Sequence, residues 1–344
     1  MRKHDLNIYN ALVNNGVLSI PDLNDVAIRN WGENFNNVNE HYDSFLLNRN
    51  LPNLSGPIEK HPYIELYDAD CDFQRETLLL GTFPPSSYFN NLPLNNLPNP
   101  NIQNNNPTHF YYGNMNDLWF YLFGVQGIQI TIPLIQSLLT EYDVSITDVF
   151  SFVMRKNMSS AFDSEYRNIV VNHKISKVFT AESNIKTVLF TSGSLSAFLG
   201  NTTSTLTGFR WILEDCCGGL ENFLISGDIS GEGQFFPINH EGLHNAVNQQ
   251  NGGIVWWIQY NTKKIRIVNL PSPAPMAAQQ MMSSVYLRKW LNFKANINGI
   301  DQIGDETTVR QYVELFPQVF SNPITKQYRR EVYQMVLNNE ITNI

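Results

Sequence analysis

The sequence predicts a layered α/β fold organised around a parallel sheet, and three observations carry that expectation. Short apolar runs such as Thr77–Phe83 (TLLLGTF) lack polar alternation and stop at proline or glycine, as strands buried on both faces do. Segments of helical spacing alternate with these runs, the order expected of right-handed β-α-β crossovers. Hydrophobic residues make up 42% and charged residues 16% of 344, which suits a chain that buries a core rather than a disordered or fibrous one.

Taken in order, residues 1–75 are rich in Asn, Asp and aromatic residues and predict an N-terminal extension with a short helix around Asp5–Val13. The first strand, Thr77–Phe83, is stopped by Pro84 and Pro85, and Asn90–Pro107, dominated by Asn and Pro, predicts a long loop. Helical spacing covers Asn116–Phe123 and Pro133–Tyr142, followed by a second strand over Ser145–Val153. A third strand, Thr187–Ser192, precedes Gly193 and a helical Ser194–Leu199. Residues 201–262 read as an insertion or subdomain edge, glycine-rich, with β-rich pieces at Gly208–Leu213 and Ile254–Tyr260. The fourth strand, Ile265–Leu270, ends at Pro271, and Met276–Phe293 predicts a long helix. Asp305–Ile344 predicts one or two amphipathic helices. The organisation expected is an extension over 1–75, an α/β domain over 76–295 and a helical extension over 296–344.

Net charge is −8, with 23 Lys and Arg, so the chain as a whole does not attract phosphate and nucleic-acid binding has to rest on a local basic patch. The three cysteines, Cys71, Cys216 and Cys217, do not form the even, spaced set of a disulfide scaffold, which fits a reducing compartment. With no secretory signal and no long apolar span, a cytoplasmic protein without membrane contact is expected.

Four segments, in order, resemble motifs of the uracil-DNA glycosylase superfamily, in particular its branch acting on hypoxanthine and uracil. Leu80-Gly81-Thr82-Phe83-Pro84-Pro85-Ser86 is similar to the loop after the family's first strand, and Phe110-Tyr111-Tyr112-Gly113-Asn114-Met115-Asn116-Asp117-Leu118-Trp119 to its second motif with one residue deleted. Asp148-Val149, Arg155, Asp163 and Asn184-Ile185-Lys186 leading into Thr187–Phe198 resemble the third stretch, and Leu270-Pro271-Ser272-Pro273-Ala274-Pro275 the fourth. The resemblance covers about Leu78–Leu199 and Ile265–Trp290. It implies a three-layer α/β/α sandwich with a four-stranded parallel central sheet. It also implies hydrolysis of the N-glycosidic bond of a deaminated base in DNA, with no cofactor, no metal and no obligate protein partner.

In that reading Asn116 places the water, with the adjacent Asp117 as the other catalytic candidate and Asn114 behind it. An amide orients water without taking its proton, so catalysis is positional and electrostatic. Gly81, Thr82, Phe83, Pro84, Pro85, Tyr112 and Gly113 shape a slot for a flipped base. Ser272 and Pro273, with Pro275, Met276 and Ser192, hold the strand, a hydroxyl or N–H gripping phosphate and Pro275 or Met276 wedging into the stack. Plainer roles compete: Phe83 suits a core position, Asn116 a helix N-cap, and Ser272–Pro275 a helix-capping turn. The fourth motif lacks the histidine with which sister families hold the departing base, which favours a non-catalytic nucleotide- or nucleic-acid-binding module as the alternative.

A separate pattern is His240-Glu241-Gly242-Leu243-His244, the H-E-x-x-H spacing of zinc hydrolases. Pro237 before it, Gly242 within it and Gly252-Gly253 after it predict no stable helix there, and no third histidine follows. His240 and His244 are therefore only weak metal candidates. Cys216-Cys217 are expected to be small buried residues.

Overall fold

The computed structural model describes residues 58–61, 71–81, 117–125, 131–155, 166–191, 213, 220–249, 255–273, 282, 285–300 and 309–338. Among these residues the strands are β1 (Ile58–Lys60), β2 (Thr77–Gly81), β3 (Val144–Asp148), β4 (Phe150–Arg155), β5 (Tyr166–Val171), β6 (Thr187–Phe190), β7 (Phe223–Ser226), β8 (Phe236–Pro237), β9 (Val255–Tyr260) and β10 (Lys263–Asn269). The α-helices are α1 (Leu118–Phe123), α2 (Ile132–Glu141), α3 (His240–Gln249), α4 (Val285–Ile297), α5 (Val309–Leu315) and α6 (Ile324–Leu337), with 3-10 turns over His173–Phe179 and Leu220–Asn222. None of these helices is long and apolar enough to cross a membrane.

The main sheet is mixed α/β in character, with strand order β3-β2-β6-β10-β9-β7-β8. Its first four strands pair parallel and the rest antiparallel. The central parallel strands β2 and β6 are apolar on both faces because both faces are covered. Leu79, Leu189 and Val268 enter one core with residues of α1, α2, α4, α5 and α6. Leu78, Leu80, Val188, Phe190, Ile265 and Ile267 enter a second core with Ile175, Val178, Phe179 and Ala246. Local chemistry sets several boundaries. The Thr131 side chain accepts from Leu134 N at the start of α2, and Gly124, at φ 72°, ends α1 in the left-handed region.

Several expectations are corrected. The sheet has seven strands among the described residues and is mixed, where four parallel strands were expected. The cause lies in the 201–262 segment, whose β7, β8 and β9 extend the sheet instead of forming a separate edge. A two-residue turn with Asn261 at φ 53° folds β9 back antiparallel onto β10. The single strand expected over Ser145–Val153 is two, β3 in the main sheet and β4 in a small antiparallel sheet ordered β1-β4-β5. The chain changes sheet at Val149, whose N–H bonds Gly81 O while its carbonyl accepts from Asn172 N. Residues 58–60, inside the expected N-terminal extension, supply the edge strand of that small sheet. Of the helix expected over Met276–Phe293 the structure describes α4 from Val285, with Met282 in a turn before it, while residues 276–281 lie outside the described residues. Ser283 and Ser284, types that favour helix starts, come just before α4 in the sequence. The predicted Asp5–Val13 and Ser194–Leu199 helices and the 90–107 loop lie outside the described residues.

Candidate functional site

In an open α/β sheet the carboxyl ends of the parallel strands, where strand order reverses, form the crevice that takes ligands. Here the order reverses at β2, which has β3 on one side and β6 on the other. Backbone bonds continue the ladder past the strand ends: Val149 N donates to Gly81 O at 3.0 Å, Thr191 N to Leu80 O at 3.2 Å, and Leu270 N to Phe190 O at 2.7 Å. Gly81, Thr191 and Leu270 therefore leave the sheet side by side. With neighbouring strands roughly 4.8 Å apart, the first and fourth motif loops start about 10 Å from each other.

Polar side chains are buried along this rim. His61 Nε2 and Asp148 Oδ2 are 2.7 Å apart, with the two residues 3% and 1% exposed, and Asp148 is the register partner of Gly81. Asn172 closes the rim on that side. Its amide donates to Thr147 Oγ1 at 3.0 Å and to Asp148 O at 3.1 Å, and its own oxygen accepts from Lys174 N. Burying a polar group without partners costs about 1–3 kcal/mol, so such a cluster persists only where it is bonded or used.

The second motif joins the rim through α6. Asp117, at φ 53°, is the residue that starts α1; its side chain makes no capping bond and instead lies 3.1 Å from Lys326 Nζ. Lys326 and Arg330 both stand over the Phe120 ring, at 4.6 and 4.9 Å. Buried Arg329 donates to Tyr121 Oη at 3.2 Å, and two turns after Lys326 the Tyr333 hydroxyl donates to Pro271 O at 3.0 Å. Two turns of helix span about 10 Å. One helix from the C-terminal region thus contacts both the residue after Asn116 and the first residue of the fourth motif loop. Burial pushes the Tyr333 phenol far above its ordinary value, so it stays a neutral donor.

Comparison with known proteins returns no matching family model, no matching curated protein and no matching solved structure. The site therefore rests on its own residues.

Of the residues singled out in the sequence, Gly81 ends β2, Ser272 is half-buried and Pro273 buried in the loop after β10, and Asp117 starts α1. Asn116, Thr82, Phe83, Pro84, Pro85, Tyr112, Gly113, Ser192, Pro275 and Met276 lie outside the described residues, as do Asn114, Cys216 and Cys217. The N-cap expected at Asn116 falls on Asp117. Sequence reasoning missed His61, Asn172 and Asn269, and quoted Asp148 without a role. An acid closing the strand Val144–Asp148 was the one signal that could have flagged Asp148; His61 had none, since no periodic segment surrounds it.

The H-E-x-x-H segment is helical after all, as α3. Asn239 Oδ1 accepts from Gly242 N, and a Cβ at Gly242 would collide with the Pro237 carbonyl oxygen. The glycine that argued against a helix is what lets the helix lie against β8. Glu241 and His244 are exposed, and no group of three or more His, Cys, Asp or Glu side chains that could hold a metal ion occurs among the described residues.

Proposed function

We propose that this protein is a monofunctional DNA glycosylase of base-excision repair, hydrolysing the N-glycosidic bond of uracil or hypoxanthine within a three-layer α/β/α architecture. One observation supports the reading above others: the strands leading into the first, third and fourth motif loops are neighbours with their carboxyl ends at one rim, and α6 ties the second motif to the same place. A flipped nucleotide needs such convergence, because base, sugar and flanking phosphate must be held at once. Half-buried Lys326 and exposed Arg330, against Glu331 alone on that helix, supply the local positive patch that a chain of net charge −8 requires.

In the reaction positive charge builds on the sugar as the base departs, and the enzyme has to place a water at the anomeric carbon. Asn116 is the water-placing group of this proposal, with Asp117 carrying the Lys326 contact beside it. Gly81 opens the base slot, and Ser272 and Pro273 grip the strand. The absence of a histidine from the fourth motif, Leu270–Pro275, favours a second reading, a nucleotide-binding module without catalysis.

Incubation with uracil- and hypoxanthine-containing oligonucleotides, followed by detection of abasic sites, separates the two. The enzyme reading expects base release that falls about a hundredfold or more in Asn116→Ala. Salt-dependent DNA binding with no release, unchanged in that variant, contradicts it and supports the module.

A further inference from the structure

Where α6 packs against α1, two cations stand over one aromatic ring. Lys326 Nζ and the Arg330 guanidinium lie 4.6 and 4.9 Å from the centroid of the Phe120 ring, which is nearly buried. They are four residues apart on α6, so they share one face and repel each other. The other charges of α6 point elsewhere. Arg329 turns inward to Tyr121 Oη, and Glu331, the one acid of the helix, pairs with Lys294 of α4. Among the described residues the only carboxylate that meets the two cations is that of Asp117, 3.1 Å from Lys326 Nζ, and Arg330 meets none. Two positive charges thus face one negative charge, with Lys326 half-buried and Arg330 exposed.

We propose that Lys326 and Arg330 clamp a single backbone phosphate of the DNA strand, which takes the place that the Asp117 carboxylate holds in the ligand-free protein. A phosphodiester carries two non-bridging oxygens, so one meets the ammonium and the other the planar guanidinium fork. The Asp117 carboxylate is tethered at the start of α1 and reaches Lys326 alone. Its hold is weak, because an ion pair whose side chains are 38% and 44% exposed contributes little in water. The Phe120 ring holds both cations before the phosphate arrives, which lowers the ordering cost of binding. Asp117 follows Asn116 directly in the sequence, so the incoming phosphate frees the residue beside the proposed water-placing group. The inference rests on the glycosylase reading and adds its regulation: capture of the strand and release of Asp117 are one event.

The test measures binding of the full chain to a uracil-containing duplex oligonucleotide by fluorescence anisotropy, between about 50 and 200 mM NaCl. Combining Lys326→Gln with Arg330→Gln is expected to lower the slope of log K against log salt by about 0.9, the value for one phosphate. Each single variant is expected to bind about threefold more weakly. Asp117→Asn is expected to bind about threefold more tightly than wild type and to change nothing once Lys326 is replaced, because its carboxylate competes only for that cation. Arg310→Gln, which removes an exposed cation from α5, is expected to leave the slope unchanged. Millimolar inorganic phosphate is expected to leave the wild-type Tm unchanged, since a lone ion lacks the rest of the strand's contacts. An unchanged slope in the double variant, a fall of about 1.8 as for two separate phosphates, or an equal fall in Arg310→Gln overturns the clamp. So does an Asp117→Asn gain that persists without Lys326, or a phosphate-induced Tm rise that the double variant loses, which assigns the pair to the free ion. If base release persists in any of those cases, the glycosylase reading stands without the clamp. If the expected binding pattern appears and wild type releases no base, the clamp stands and the glycosylase reading falls.

Discussion

The two ends of the parallel strands use polar residues in different ways. At the amino end most of the polar groups are exposed or half-buried and stitch backbone to backbone, and the two buried serines there, Ser145 and Ser183, bond nearby backbone at Asp72 O and Ile185 N. Glu76 N donates to Asp143 Oδ2 at 2.9 Å, Arg75 caps the Val144 carbonyl, and Lys186 pairs with Glu76 in the open, 69% and 55% of the two side chains remaining exposed. At the carboxyl end His61, Asp148, Asn172 and Asn269 are buried. Solvent satisfies the first set whatever the geometry, whereas the second set depends on fixed partners or on a ligand. Stability resides cheaply at one end, and the demanding chemistry is concentrated at the other, where strand order reverses.

The strongest way to break that contrast is Asp148→Ala. It leaves buried His61 without its carboxylate and is expected to lower stability by about 3 kcal/mol in urea unfolding, while Lys186→Ala at the opposite end changes it by less than about 0.5 kcal/mol. Equal effects at the two ends would dissolve the distinction. Next in size is Gly242→Ala, which drives a methyl into the Pro237 carbonyl and is expected to cost about 2 kcal/mol, read as a lower Tm. An unchanged Tm would mean that α3 is not held against β8 by that close approach.

Tyr333→Phe removes the bond that holds Pro271 and is expected to cost about 1 kcal/mol at neutral pH. Its pH dependence has a definite sign. Burial raises the phenol pKa in the folded state, so the unfolded chain releases this proton first, and the stability that Tyr333 contributes is lost as pH rises above its ordinary value of 10. The variant is therefore expected to lose less stability than wild type above that pH. A steeper alkaline loss in the variant would contradict the burial of this hydroxyl.

The same contrast marks what the sequence could reveal. The cores of β2 and β6 were legible because strands buried on both faces read as apolar runs, and Leu78–Leu80 and Val188–Phe190 need no partner information to be recognised. β8 spans two residues, Phe236–Pro237, and no periodicity can emerge over that length. The split at Val149 was hidden because Val144–Asp148 and Phe150–Arg155 are both strand-like, and only tertiary pairing sends them to different sheets. The rim's polar residues were the least legible. An isolated His61 or Asn269 looks like surface in a sequence, and its burial follows from partners 87 residues away or from none among the described residues.

Hydrogen exchange with and without a uracil-containing oligonucleotide tests most directly whether the carboxyl rim is where a nucleotide binds. Protection is expected in peptides ending at Gly81, spanning Thr187–Thr191 and covering Asn269–Pro273, with none in peptides over Thr140–Asp143 or Thr180–Lys186. Protection confined to the amino-end peptides, or none anywhere under conditions where the oligonucleotide is bound, would contradict the account.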